Sequence, residues 1–323
     1  MVNAIHFANY RNFADFHMDG LQRVNLIVGN SNVGKTGLLE GLVILWGNEE
    51  QYQALPNTFR MSIGGKNTEK DNYWSWLFPE KNLNTQIVLK SEMEGHDGVE
   101  VVLNGRMLSN ASYPLRIGQV FNHDRTASHG INYVSHIKLA VLPVGMGDYQ
   151  SQVNQFNELA QKNKGKEQLI DALRIIEPRL QGLEYLKLPN SEHAMVYADI
   201  GLEYKVPTTQ FGHGFTRSME TLTHLILSGS EIMIADEIEN GIHYSALEPV
   251  WTAIINYAVK NNTQVFATTH SRECIAAAHQ AMLKQATYEL NVIRLQNEDG
   301  QVVAINHNQD DIETALDLGL GLR

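Results

Sequence analysis

A chain of 323 residues with one cysteine and a formal net charge of −11 has room for one large α/β domain or for two smaller ones, and it cannot form an internal disulfide. No apolar run approaches the ~20 residues of a membrane-spanning helix, and Met1 to His6 lack the basic and apolar regions of a signal peptide. The single cysteine, Cys274, leads us to expect a reducing cytoplasm, and the acidic balance argues against a dedicated nucleic-acid module, which is more often basic.

In chain order, residues 2–7 and 13–18 read as strands around Asn9-Tyr10-Arg11-Asn12. An apolar strand, Val24 to Val28, then runs into Gly29-Asn30-Ser31-Asn32-Val33-Gly34-Lys35-Thr36, and a helix follows from Gly37 to Trp46. Residues 47–85 are polar and irregular and read as an insertion; their aromatic run, Tyr73-Trp74-Ser75-Trp76-Leu77-Phe78, reads as local packing rather than a base-stacking platform. Strands are expected at 86–94 and 99–106, joined at Asp97-Gly98, and at 113–121 and 131–142. From 148 to 186 the pattern turns helical, with Leu169, Ala172, Leu173 and Ile176 on one face, and 148–190 is expected to form a helical lobe. Strand returns over 194–206. A helix runs from the Phe211 to Arg217 stretch to about Leu227. The remainder, up to a last strand at 301–305, alternates strand and helix as a parallel sheet covered by helices does.

The segment Gly29 to Thr36 fits G-x-x-x-x-G-K-[ST], the phosphate-binding P-loop. Gly29 and Gly34 let consecutive backbone N–H groups turn inward as an anion nest, and the next helix points its positive end at the same place. Lys35 would reach the β- and γ-phosphates and the Thr36 hydroxyl would bind Mg²⁺. A second apolar strand, Ile232 to Ala235, ends in Asp236-Glu237. At the carboxyl end of a parallel strand, Asp236 can hold Mg²⁺ and Glu237 can orient or deprotonate an attacking water. A third, Gln264 to Thr269, ends in His270, placed to hydrogen-bond the γ-phosphate or that water.

With these three motifs the chain resembles the ABC-type ATPases of the RecF, SMC and OLD group, nearest to small OLD-like members of the AAA type. Tyr10-Arg11-Asn12-Phe13 and the closing Ala315 to Arg323 stretch carry the resemblance to both ends of the chain. It implies an ABC-type P-loop α/β fold with a mixed sheet, an N-terminal antiparallel β part and an inserted helical lobe, in a single domain over 1–323. It implies ATP and Mg²⁺ as ligands. The residues from Gly29 to Gly37, with Asn30 and Asn32 among them, would bind nucleotide, and Arg11 and Asn12 would lie beside the adenine. Glu237 would be the catalytic glutamate, Glu239-Asn240-Gly241 the D-loop that touches a partner subunit, and His270 the switch histidine. Gly212-His213-Gly214 would stand where the signature loop caps nucleotide bound to the other subunit. The usual serine is missing there, and Arg217 would contact phosphates instead. One P-loop and one signature-like loop, acting in trans, need two chains, so a two-fold homodimer or a larger assembly of dimers is expected.

Two functions compete. The first is an ATP-gated regulator in a bacterial defence or toxin-type system, acting on a separate effector such as a Toprim-type nuclease. The second is a RecF-like clamp that holds DNA when ATP closes the dimer, drawing on Arg60, Lys66, Lys70, Lys81, Lys162, Lys164 and Lys166. A scaffold that binds ATP without turnover ranks below both, and a zinc or thiol enzyme is not expected from one cysteine and scattered histidines.

Overall fold

The strand–helix rhythm of the last third closes into a six-stranded sheet in the computed structural model, which describes all residues except 60–72, 95, 105–115, 122–126, 132–136, 143–148, 188–193, 320 and 323. Its order is β15 (Gln301–His307), β14 (Leu290–Glu298), β3 (Val24–Gly29), β13 (Gln264–Thr268), β12 (Ile232–Ala235) and β8 (Leu139–Leu142). All neighbours are parallel except β15, which folds back on β14 as a hairpin. A second, wholly antiparallel sheet runs β2 (Phe13–Met18), β1 (Val2–Tyr10), β4 (Gln86–Met93), β5 (His96–Asn104), β6 (Arg116–Phe121) and β7 (Ala127–Ile131).

Alternation along the parallel strands divides the core in two. Ile27, Ile234 and Phe266 face one side, where helix α1 (Lys35–Trp46) is clamped between them and Phe7, Leu89 and Val101 of the antiparallel sheet. Buried on both sides, α1 hides all its residues but Thr36 and carries an almost unbroken apolar sequence from Leu38 to Trp46. Leu26, Met233 and Val265 face the other side. There they pack on α5 (His213–Ser228), α6 (Tyr244–Asn261) and α7 (Arg272–Met282).

The expected helical stretch begins as α3 (Tyr149–Gln161) and α4 (Gly165–Leu173), broken at Lys164, whose φ is 63°. Phe156, Leu159, Leu169 and Leu173 join the core shared with the parallel sheet, so these helices are part of the domain rather than a separate body. Helicity stops earlier than the sequence suggests. Residues 182–186 form β9 (Gly182–Leu186), the edge of a three-stranded antiparallel sheet with β10 (Met195–Asp199) and the short β11 (Val206–Pro207). The backbone hydrogen bonds of 182–186 go to 195–199, a partner that helical spacing cannot reveal.

Two further expectations change. The single strand expected over 131–142 is two, β7 and β8, which belong to different sheets. The turn after β4 lies before Asp97-Gly98, because Met93 already pairs with His96; Gly95 is outside the described residues. Among the described residues, no helix is long and apolar enough to cross a membrane.

Gly41 sits where α1 crosses the antiparallel sheet, and a Cβ there would lie 2.5 Å from the Phe7 ring. Alanine would gain ~1 kcal/mol of helix propensity but bring ~1–3 kcal/mol of overpacking against a ring with no room to move. Gly41→Ala should therefore forfeit the propensity gain and end about 0–2 kcal/mol less stable than wild type in denaturant unfolding; a variant more stable by the full ~1 kcal/mol of helix propensity would show that the two layers are not in contact as described.

Candidate nucleotide site

The parallel register places the chemistry. Ile27 lies beside Thr268 and Ala235 beside Ala267, so the carboxyl ends of β3, β13 and β12 share one edge. The P-loop leaves from the first, His270 follows the second, and Asp236-Glu237 follow the third. The P-loop, Glu237 and His270 line a cleft of about 640 Å³ with Arg11, Asn12, Ser31, Asn32, Gly34, Lys35, Thr36 and Gly37 on one wall and Trp76, Phe78, Pro79 and Glu80 on another; Asp236 is buried behind it.

The glycines of the loop are required by contact and conformation. Gly29 has φ 141°, and a Cβ there would come within 2.5 Å of the Leu295 carbonyl. Gly34 has φ 117° and would press on Asn12 and Phe13 at 3.0 Å. Helix α1 starts from Gly34 with no side-chain cap and no acid in its first turn, so its first N–H groups remain available to an anion. The Lys35 ammonium donates to the carbonyls of Gly29 at 2.8 Å and Asn30 at 2.9 Å. Burial holds its pKa below the ordinary lysine value, with Asp236, Glu237 and Glu239 pulling the other way. A flexible Gly-lined cradle, an ammonium and an uncapped helix end fit a polyphosphate.

The metal-binding candidates also meet. The Thr36 hydroxyl donates to Asp236 Oδ2 at 2.9 Å, and the Thr268 hydroxyl donates to Asp236 Oδ1. A buried carboxylate and a hydroxyl in contact are the hard oxygen donors that Mg²⁺ takes alongside phosphate. Thr268 has a second task, accepting the backbone N–H of Glu237 at 2.8 Å. Glu237 has φ 46°, an unusual turn for a residue with a side chain, and it leaves the strand with its carboxylate half-exposed in the cleft. Its Oε1 lies 3.9 Å from His270 Nε2.

The D-loop residues separate. Glu239 turns inward, where its Oε1 accepts the backbone N–H of His270 at 2.8 Å, so it links Asp236-Glu237 to the histidine rather than facing outward. Asn240 and Gly241 are exposed. The signature-like loop does not join this cleft. Gly212, His213 and Gly214 line another depression of about 550 Å³ with Gly241, Ile242 and His243. Helix α5 begins there at Gly212, again with no side-chain cap and no acid in its first turn. Arg217 departs from expectation: it is 2% exposed and bound to Glu220 at 2.9 Å, one turn along α5, so its charge faces the interior and not a phosphate.

Arg11 lines the cleft as expected, and its guanidinium is also held 2.7 Å from Glu40, a carboxylate of α1 that is wholly buried. Burial lowers the Arg11 pKa, and Tyr10, Glu40 and Tyr73 more than reverse that, leaving it raised. Asn12 supports the loop by donating to the Val33 carbonyl at 2.9 Å. Thr268 and Glu40 are residues at the site that the sequence reading gave no role; the available signal was a polar or charged residue inside an otherwise apolar strand or helix. Trp76, read from the sequence as local packing, is half-exposed and lines the cleft.

Of the basic residues proposed for DNA, Arg60, Lys66 and Lys70 lie outside the described residues. Lys81 stacks on Trp76 at 4.0 Å, and Lys162 donates to the Leu227 carbonyl. Cys274 is buried and its thiol is pushed up to about 12 by desolvation, which leaves it unreactive. His6, Asp15 and His17 cluster on the outer face of the β1–β2 hairpin and take no part in the cleft.

Comparison with known proteins agrees with this geometry. The family described as "AAA domain, putative AbiEii toxin, Type IV TA system" matches residues 94–276, more than half of the chain. The chain belongs to this family. The match spans Asp236, Glu237 and His270, and the P-loop precedes it. An "ATP/GTP phosphatase" of Helicobacter pylori is 20% identical over an alignment of 367 positions that takes in 97% of each chain. An SMC head crystallised with the C-terminal winged-helix domain of ScpA superposes with a TM-score of 0.53 at 10% identity, covering 98% of this chain and 99% of its own. The SMC head of Thermotoga maritima gives 0.49 at 9% identity, over 95% and 99%. The family is thus an AAA-type one, and the fold is that of an SMC head.

Thr268→Val keeps the shape of the side chain and removes both of its contacts with the acidic turn. Leaving Asp236 and the Glu237 N–H without that partner should cost ~1–3 kcal/mol of unfolding free energy, and Thr268→Ser should recover most of it. A valine variant as stable as wild type would show that the hydroxyl does not hold the turn. The lowered Lys35 pKa sets a pH dependence. Phosphate affinity should fall, by up to about tenfold per unit, as pH rises through the pKa of the free protein's Lys35, and the fall should begin below the usual lysine value of about 10.4. Titration with inorganic tripolyphosphate across pH 7–11, beside a Lys35→Arg variant whose charge is kept throughout, checks this; a wild-type profile that runs parallel to the arginine variant's over the whole range would refute it.

Proposed function

We propose that this protein is a nucleotide-driven switch that hydrolyses ATP, or a related nucleoside triphosphate, in a site completed by a second copy of the chain. The observation that carries the reading is the convergence of the P-loop, Asp236, Glu237 and His270 on one edge of one sheet. The α1 N–H groups and Lys35 bind the phosphates. Thr36 and Asp236 would hold Mg²⁺, which neutralises phosphate charge when bound. Glu237 orients or deprotonates the lytic water, and His270, fixed through its backbone by Glu239, stands beside it.

The exposed start of α5 supports a two-chain site. It has the features of an anion-binding helix end and lies outside the cleft of its own chain, beside the exposed Gly241. In a two-fold pair it would cap the γ-phosphate held by the partner's P-loop, with Asn240 and Gly241 at the contact. The pair closes with nucleotide bound and opens after hydrolysis. The name of the Helicobacter pylori relative supports triphosphate hydrolysis and leaves both ATP and GTP as substrates. The toxin–antitoxin description of the family supports a defence or toxin-type role, and the SMC head bound to part of ScpA is a precedent for such a head acting on a separate chain.

Glu237→Gln should slow turnover by about 100-fold or more and leave nucleotide bound. Light scattering with Mg-ATP should then find a stable dimer, and Lys35→Ala should bind no triphosphate. Normal turnover in Glu237→Gln would remove Glu237 as the base. A Glu237→Gln protein that binds Mg-ATP and stays monomeric would end the two-chain site.

A further inference from the structure

The P-loop accounts for one end of the cleft and leaves its other wall without a role. That wall comes from residues 73–81, and its side chains divide sharply. Trp74, Leu77 and Phe78 are buried, and Trp74 packs on Tyr52 with ring centroids 4.9 Å apart. The backbone is tied down as well, since the Arg11 N–H donates to the Leu77 carbonyl at 2.8 Å, joining this wall to the β1–β2 turn. Trp76 alone among these large apolar side chains stays out: it is 53% exposed and lines the cleft opposite Gly34 to Gly37.

Three observations give that exposure a meaning. The other tryptophans of the chain, Trp46, Trp74 and Trp251, are at most 2% exposed, so Trp76 is the exception to how this protein uses the residue. One face of its ring is covered only by the Lys81 ammonium at 4.0 Å, a surface cation–π contact that a stacking ligand can displace. The two residues that turn the wall at the cleft rim, Glu80 and Lys81, have φ of 51° and 57°, and consecutive left-handed residues with side chains are the strained backbone found at ligand clamps.

We propose that Trp76 is the nucleobase platform of this site, stacking on the base of a nucleoside triphosphate whose phosphates lie in the P-loop; this rests on the nucleotide-binding reading above. Anchored by its buried neighbours, the ring is preorganised and loses little freedom on binding. Stacking on a base is stronger than the exposed cation–π contact it replaces, so the Lys81 side chain moves aside. With Arg11 engaged by Glu40, stacking dominates the contact to the base, and it does not distinguish adenine from guanine because both present a π-face. The site therefore takes both purine nucleotides.

The test uses the one exposed tryptophan as its own reporter. Wild-type protein is titrated with Mg-ATP, Mg-GTP and inorganic tripolyphosphate, following calorimetric affinity and the accessibility of tryptophan emission to acrylamide. ATP and GTP should both shield Trp76, whereas tripolyphosphate should bind and leave the emission accessible. Trp76→Ala should weaken ATP and GTP alike by about tenfold or more and leave tripolyphosphate affinity unchanged, and Trp76→Phe should restore most of the loss. The proposal is overturned if Trp76→Ala binds ATP as wild type does, or if tripolyphosphate shields the ring as well as ATP. Binding of neither ATP nor tripolyphosphate to wild-type protein would instead bring down the phosphate site, and this platform with it.

Discussion

The alignment of β3, β13 and β12 in one parallel register is the constraint on which the site depends. Parallel pairing sends every strand's carboxyl end to the same edge, so loops far apart in sequence open over one point. Thr268 turns that alignment into chemistry. It stands at the end of the middle strand, its hydroxyl reaches Asp236 on one neighbour, and its oxygen accepts the N–H of Glu237. Asp236 in turn accepts from Thr36, so hydroxyls from the end of β13 and the start of α1 hold the same carboxylate. A slip of one residue in either pairing would send these side chains to the opposite face of the sheet and separate them.

The antiparallel sheet serves the same site from the other side. By burying α1 between two layers it fixes the helix whose N-terminus forms the phosphate cradle. The Arg11–Glu40 pair lies at that contact, joining the β1–β2 turn to the first turns of α1. A buried ion pair of this kind adds little net stability, because removing both charges from water is costly. Arg11 also ties the turn to the wall that carries Trp76, through its backbone N–H to the Leu77 carbonyl.

Two glycine-led, uncapped helix starts, those of α1 and α5, open on different surfaces of the molecule. The same physics makes each an anion site, but only α1 has a lysine and a metal-ligand pair beside it. This asymmetry fits the proposed two-chain site, in which the start of α5 would cap a nucleotide held by the other copy's P-loop. Glu239 follows both helix starts in the chain; its carboxylate accepts the His270 N–H, and the next two residues, Asn240 and Gly241, are exposed.

By itself the sequence determined the elements and motifs whose causes are local. A loop with glycines at 29 and 34 needs left-handed or extended backbone that few other residues adopt, and strands such as 232–235 and 264–268 are apolar because both their faces are covered. These constraints act within a few residues, so P-loop, acidic strand end and histidine strand end were legible together with the parallel rhythm. The tertiary structure decided whatever depends on a distant partner. It set residues 200 positions apart in contact at Thr36 and Asp236, split 131–142 between two sheets, and made a strand of 182–186 by pairing it with 195–199. It turned Arg217 inward onto Glu220, gave Arg11 to Glu40, and left Trp76 in the cleft while burying the aromatic residues around it. Strand pairing, burial and the choice of an ion-pair partner are set by which surfaces meet, and local sequence pattern carries no record of that meeting.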